Sequence, residues 1–458
     1  EGCLDPVVGC SSTEDYFPVR LVVEEMRGVS SWEYSNTHVD LTIVNETGAE
    51  RAYRLVRCGC ESVAPSAPAS TSTISIPRTN VFVSESPTMF LFLELDALDH
   101  ISMVKSASAM FAQELQDAVI SGSIADVPEI ASIFNTSIVP VASRPSLALL
   151  GESQIADYEA NPSYSSIPSL PILASQEKLP LGRAEWIKVV GLLTGEESAA
   201  DAMYNGIQSR YRESSRLANS VRRQPSVAWG QPFGDPENGY SWSTLAADSY
   251  PRQLIRDANA VYRDLNGTGD ESTNLFLNLT EGAAAFSSAD YWLSFFVVGP
   301  NATQGTTQDM LAILGLPNAS VPVYFGFESV ACGNVWASTK RLRANGTPFP
   351  SSDFFESAVV RPDLVLRDMV KLLHPSLEIE DDFFYMYNVE KAVSGPTIPE
   401  CPLTTLPSEP DGGMTYVTAE IEFGMSRFDV EDRLVDHVHP AIARASGITE
   451  VNFESQFD

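Results

Sequence analysis

Groups able to do covalent chemistry are sparse and badly spaced in this sequence. The five histidines, His38, His100, His374, His437 and His439, are scattered. No GxSxG, HExxH, GxxxxGK[ST] or Cys/His nucleophile pattern occurs. His437 and His439, two apart on an expected helix, face different sides and make a poor metal pair. The acidic run at 378–382 lacks the alternating ligands and central glycine of a calcium loop. Aromatic residues, by contrast, gather where expected strands end: Trp229, Phe233, Tyr240 and Trp242 in one stretch, Tyr324, Phe325 and Phe327 beside Glu328 in another. In open α/β sheets ligands sit off the carboxyl ends of strands, so these rings are placed to wall a broad, flat ligand. Ser84, Glu85 and Ser86, in the loop after an earlier strand, would add polar contacts, and Trp186 a further wall. Arg183 and Glu185 read as structural. Core packing is the competing use of each ring, and Phe355 reads as core.

The elements that must position these residues follow from periodicity. An N-terminal β-rich piece has strands at 19–23, 37–44 and 52–57, with a turn at 46–48. It ends in a Pro-, Ala- and Ser-rich linker at 61–73. From residue 76, short apolar strands alternate with helices, including a strand at 80–83 and a helix begun near Pro87. Thr194 and Glu197 have capping-box spacing, and Ala199, Ala202, Met203, Ile207, Tyr211 and Leu217 recur at helical intervals until Pro225. About 25 residues at about 1.5 Å each would span roughly 37 Å, enough to bridge two lobes. After it come a strand (SVAWG), a loop (QPFGDPENGYSW), a helix (SYPRQLIRDANAVY), a strand (YWLSFFVV), a helix (QDMLAILG) and a strand (VPVYFGF). A final helix is opened by Asp363 after Pro362 and closed by Lys371, His374 and Pro375. A Pro-rich linker precedes a strand-helix-strand tail. The expected organisation is therefore a β-rich segment (1–75), a first α/β lobe (76–183), a helical connection (184–223), a second α/β lobe (224–391), a linker (392–413) and a βαβ unit (414–458).

Composition narrows the partners. Asp plus Glu number 60 against 29 Lys plus Arg, a net charge of -31, so nucleic acid and anionic membrane faces would be repelled. Seven Asn-X-Ser/Thr sequons, at Asn45, Asn135, Asn266, Asn278, Asn301, Asn318 and Asn345, exceed the roughly three expected by chance and point to glycosylation in a secretory pathway. Six cysteines, Cys3, Cys10, Cys58, Cys60, Cys332 and Cys401, suit structural disulfides, with 15 possible pairings. Cys58-Gly-Cys60 is too tight for an easy bridge within itself. No apolar run is long enough to span a bilayer. The expectation is an extracellular or cell-surface protein whose signal peptide or anchor is absent from this chain.

The stretch VWASTKR at 335–341, followed by SDFFESAVVRPDLVLRDMVKLLHPSL at 352–377, resembles the class III periplasmic-binding-protein family, and most closely its algal cobalamin-acquisition branch. GRAEW at 182–186 adds to the likeness. SYPRQLIRDANAVY resembles a family segment in which glycines stand at the positions of Asn259 and Ala260. The resemblance covers about residues 76–377. It implies a bilobed α/β substrate-binding fold with one long interlobe helix, no catalysis and no catalytic cofactor. The implied ligand is a corrinoid (cobalamin) captured for uptake through a membrane transporter or receptor, with haem or a ferric siderophore as alternatives on the same fold. A secreted adhesion or interaction protein is the alternative of another class.

Overall fold

The computed structural model describes residues 2–135, 137–164, 166–235, 239–246, 248–263, 274–277, 282, 286–295, 328–344 and 350–389. The expected linker at 392–413 and the βαβ tail lie outside the described residues, as do the QDMLAILG helix and the VPVYFGF strand. Strands β1 (Val29–Tyr34), β2 (His38–Val44) and β3 (Glu50–Arg57) form an antiparallel meander, and β4 (Thr71–Ile76) joins parallel to β3. Alternation in β2 buries Val39, Leu41 and Ile43 on one face. The β2–β3 turn is built by Asn45, whose Oδ1 accepts from the Thr47 and Ala49 N–H groups, with Gly48 at φ 81°. Two expectations fail here. Residues 19–23 are not a strand, because side chains take their backbone groups: the Tyr34 hydroxyl accepts from Leu21 N–H and Lys188 Nζ donates to Val22 C=O. Thr71 to Thr73, expected as linker, open β4, where Ile74 and Ile76 alternate into the core.

The first lobe is a five-stranded parallel sheet in the order β7-β6-β5-β8-β9, made of β5 (Val81–Val83), β6 (Ile101–Lys105), β7 (Ala125–Val127), β8 (Leu147–Leu150) and β9 (Ser169–Pro171). Helices α1 (Ser86–Glu94), α2 (Gln113–Ser121) and α3 (Glu152–Ala160) follow β5, β6 and β8. The run Leu-Ala-Leu-Leu of β8 is buried at every position, as an inner parallel strand requires. Three helices then lead to the second sheet: α4 (Pro180–Glu185), α5 (Ile187–Thr194) and α6 (Glu197–Asn219). The expected capping box is absent. Thr194 instead ends α5, donating to Val190 C=O, and Gly195 at φ 85° stops that helix before α6 begins.

The second lobe contains β10 (Ser226–Asp235), β11 (Gly239–Leu245), α7 (Tyr250–Asp257), β12 (Val261–Tyr262), β13 (Asn274–Leu277), β14 (Tyr291–Ser294), α8 (Glu328–Ala331), β15 (Val335–Ala337), the β16 (Leu342–Arg343) and β17 (Ser351–Ser352) pair, α9 (Ser357–Val360), α10 (Pro362–Leu373) and β18 (Tyr387–Asn388). Its sheet runs β13-β11-β10-β14-β15-β18, with β12 also on β10. Strands β12, β10, β14 and β15 are parallel. The stretch expected as a loop after SVAWG is a hairpin: β10 continues to Asp235 and returns as β11. Asn259 adopts the left-handed conformation (φ 51°) that glycine serves in the similar family segment. Its Nδ2 also donates to Ala218 and Val221 C=O, closing the end of α6. α6 packs between α5 and α10, and one continuous buried cluster runs from Phe17 and Leu21 through Trp186 and Leu193 to Leu372. Among the described residues, no helix is long and apolar enough to cross a membrane.

Candidate ligand site

The carboxyl ends of β6 in the first sheet and of β15 in the second, mixed sheet are brought together. The segment at 107–112 follows β6, and Arg341 to Arg343 follow β15. Between them, Arg343 Nη2 donates to Ser108 C=O (3.1 Å) and to Met110 C=O, and the Ser351 hydroxyl donates to Ala109 C=O (2.7 Å). The Arg341 guanidinium lies 5.2 Å from the Phe111 ring centroid and 4.5 Å from that of Phe384. Phe111 N–H donates to both carboxylate oxygens of Glu356 at 2.9 Å. Burial pushes the Glu356 carboxyl up to about 7, against the pull of these N–H groups.

On the first lobe, the β5 end presents the expected trio. Ser84 is buried and its Oγ accepts from Gly151 N–H (3.3 Å) at the end of β8. Glu85 precedes α1 with its carboxylate pressed on Gly151, where a Cβ would come within 1.6 Å of Oε1; glycine is required at that approach. Burial raises the Glu85 pKa, and the charge of Lys105 lowers it less. Ser86 is half-buried in the first turn of α1.

The expected tryptophan walls are core residues instead. Trp186 is fully enclosed, donating from Nε1 to Glu177 (3.3 Å) and packing over Gly28. Trp242 is enclosed by Phe286 and Trp292, with ring centroids 4.6 and 5.4 Å away. Trp229, also fully buried, packs on Phe295 (5.0 Å) and Phe354 (6.4 Å). Inner strands of a sheet covered on both faces bury any ring they carry, which overrides a position near a strand end. Among the described residues, Trp229 Nε1 nonetheless has no acceptor. Phe233 and Tyr240 belong to the β10–β11 hairpin, Tyr240 opposite Gly234; Tyr324, Phe325 and Phe327 lie outside the described residues. Glu328 opens α8, its N–H donating to Ser287 C=O (2.9 Å). The trio and the tryptophans are thus not gathered around one surface.

No protein-family model matches the chain. A curated protein, an uncharacterised lipoprotein of Methanocaldococcus jannaschii, is 25% identical over 231 residues, 48% of this chain and 46% of that protein. The chain thus spans less than half the length of that relative. Among solved structures, the chain is similar to a periplasmic binding protein of Veillonella parvula (TM-score 0.47, 13% identity, 74% of this chain and 99% of that one). It is also similar to a TroA-like periplasmic binding protein of the same organism (0.46, 13%, 74% and 92%) and to a periplasmic haem-binding protein of Pseudomonas aeruginosa (0.44, 13%, 65% and 93%).

Residues that sequence reasoning missed cluster on the flank between the lobes. Phe111, Arg343 and Ser351 lie outside the family-like stretches, Arg341 and Glu356 within them, and only the chain's path brings the five together. The cations there are committed: Lys340 donates to Phe383 C=O, Arg341 pairs with Asp353 (2.5 Å), and Arg343 holds the 108–110 carbonyls. Of the sequons, Asn266, Asn278, Asn301, Asn318 and Asn345 lie outside the described residues. Asn135 is exposed, while Asn45 Nδ2 donates to Glu152 (2.5 Å). Glycopeptide mass spectrometry of protein secreted by a eukaryotic host should find a glycan on Asn135 and a bare Asn45. An occupied Asn45 in folded protein would make its bond to Glu152 dispensable.

Proposed function

We propose that this protein is an extracellular, bilobed solute-binding protein that captures cobalamin for uptake through a membrane transporter or receptor. The observation that carries the reading is the apposition of the carboxyl ends of parallel strands β6 and β15 from the two sheets; this is the ligand position of open α/β sheets. The sequence resemblance at 335–377 supports the same class. Cobalamin is favoured over an anionic ferric siderophore because Lys340, Arg341 and Arg343 are already held by protein groups, leaving burial and hydrogen bonding to do the recognition. In this reading Glu85 and Ser86 supply polar contacts from the first lobe.

Isothermal titration with cyanocobalamin, haemin and a ferric siderophore, at low and high salt, tests the ligand. The expected result is binding of cyanocobalamin that changes little with salt. Folded protein that ignores cyanocobalamin and binds haemin or the siderophore would replace the ligand and keep the site. Ser86→Ala deletes a first-lobe hydroxyl outside the core, so a loss of about fivefold in affinity is expected, the size of about one hydrogen bond. An unchanged affinity would remove Ser86 from the site.

A further inference from the structure

Helix α2 begins with alanine at its N-cap position, Ala112, and none of its own side chains caps it. Alanine is a poor residue there, since the first N–H groups of a helix need an acceptor. A carboxylate of the other lobe holds the backbone just ahead of this helix: both oxygens of Glu356 lie 2.9 Å from Phe111 N, one residue before the N-cap, and the Ala112 N–H faces the same carboxylate. Around it, Arg343 and Ser351 of the second lobe take the carbonyls of Ser108, Ala109 and Met110. Five consecutive residues of the first lobe therefore have backbone groups bonded by side chains of the second. We propose that Glu356, by holding the backbone just ahead of α2, latches the two lobes together on the flank between β6 and β15.

The latch is independent of which solute is bound. It is also built to respond to proton concentration. Glu356 is buried beside Asp353, whose charge opposes its ionisation, and Arg343, which favours it; Arg341 pairs with Asp353, and on the α2 side Glu114 is exposed to solvent. A carboxyl that titrates near 7 when latched and near 4.5 when free binds its proton more tightly in the closed form. Closure is therefore strengthened as pH falls from above 7 towards 5, and weakened as pH rises through that window. Linkage sets the upper limit at about 70-fold in the closed-to-open ratio between about pH 8 and pH 5.

Hydrogen exchange of the free protein, corrected for the intrinsic pH dependence of exchange, tests this at the Phe111 and Ala112 amides, with the β5 amides Val81 to Val83 reporting that the first lobe is folded. In the wild type the two amides should be protected, and more so at pH 6 than at pH 8. Glu356→Gln, which keeps an acceptor oxygen and cannot ionise, should retain protection and lose its pH dependence. Glu356→Ala should expose both amides at every pH while β5 stays protected. Wild-type protection of Phe111 and Ala112 in Glu356→Ala overturns the latch. Should the alanine variant fail to fold, the glutamine variant decides: a pH profile parallel to that of the wild type overturns the proposal, and a flat one supports it. Since no solute is present, a wrong ligand assignment leaves this test untouched.

Discussion

Replacing Glu185 by alanine should lower the unfolding free energy by about 3–5 kcal/mol, the cost typical of breaking a buried ion pair from one side. Its carboxylate is 0% exposed and accepts the N–H groups of Glu24 (2.8 Å), Glu25 (2.6 Å) and Met26 (2.7 Å). It also accepts from Lys188 Nζ at 2.8 Å. Lys188, 1% exposed, reaches Val22 C=O (2.6 Å) and lies 4.1 Å from the Tyr204 ring centroid. Alanine would strand a buried ammonium and three backbone donors together. Urea titration reads the loss as a lower midpoint. The double replacement Glu185→Leu with Lys188→Met should cost less than Glu185→Ala alone, because it removes the stranded charge as well. A Glu185→Ala midpoint equal to the wild type would mean that this clamp does not hold the N-terminal segment.

Opening either N-terminal disulfide is the second large effect. Cys3 bonds Cys58 and Cys10 bonds Cys60, at sequence separations of 55 and 50. Cys332 is also disulfide-bonded. Loop-closure entropy for rings of this size is about 4 kcal/mol each. The two rings overlap, so losing both should cost less than twice one. Cys10→Ser with Cys60→Ser should therefore shift thermal unfolding clearly downward, with the N-terminal 16 residues becoming protease-sensitive first. A variant that melts with the wild type would show that β-sheet pairing alone organises this segment.

Much of the fold was legible because local signals and burial agree. The strand expected at 80–83 became the inner parallel strand β5, and Pro362 with Asp363 opened α10 as expected. The failures share one cause, contacts distant in sequence. Val22 has β-branched neighbours and a strand-like setting, yet Lys188, 166 residues away, takes its carbonyl. Phe354 and Phe355 are adjacent aromatics, and the sequence assigns Phe355 to the core; the 3-10 turn there buries Phe354 and leaves Phe355 48% exposed. Trp229 and Trp242 were legible as aromatic but not as enclosed, since the rings that cover them, Phe295 and Phe354 for one and Phe286 and Trp292 for the other, come from distant parts of the chain. The Glu356 contact with Phe111 joins residues 245 apart, beyond the reach of any periodicity.

The parallel pairing of β3 with β4 has a consequence for cutting the chain. Both disulfides close within residues 3–60, and β4 begins at Thr71, so the Pro-, Ala- and Ser-rich crossover carries the only covalent route from the disulfide-bonded module to the rest of the described chain. Severing it there would yield two polypeptides held together without a covalent link, by the β3–β4 ladder, the shared core and side-chain bonds such as those of Glu185, Lys188 and Asn45. The crossover is thus the natural breakpoint for a split version of this protein, in which reassembly of the halves becomes a concentration-dependent signal.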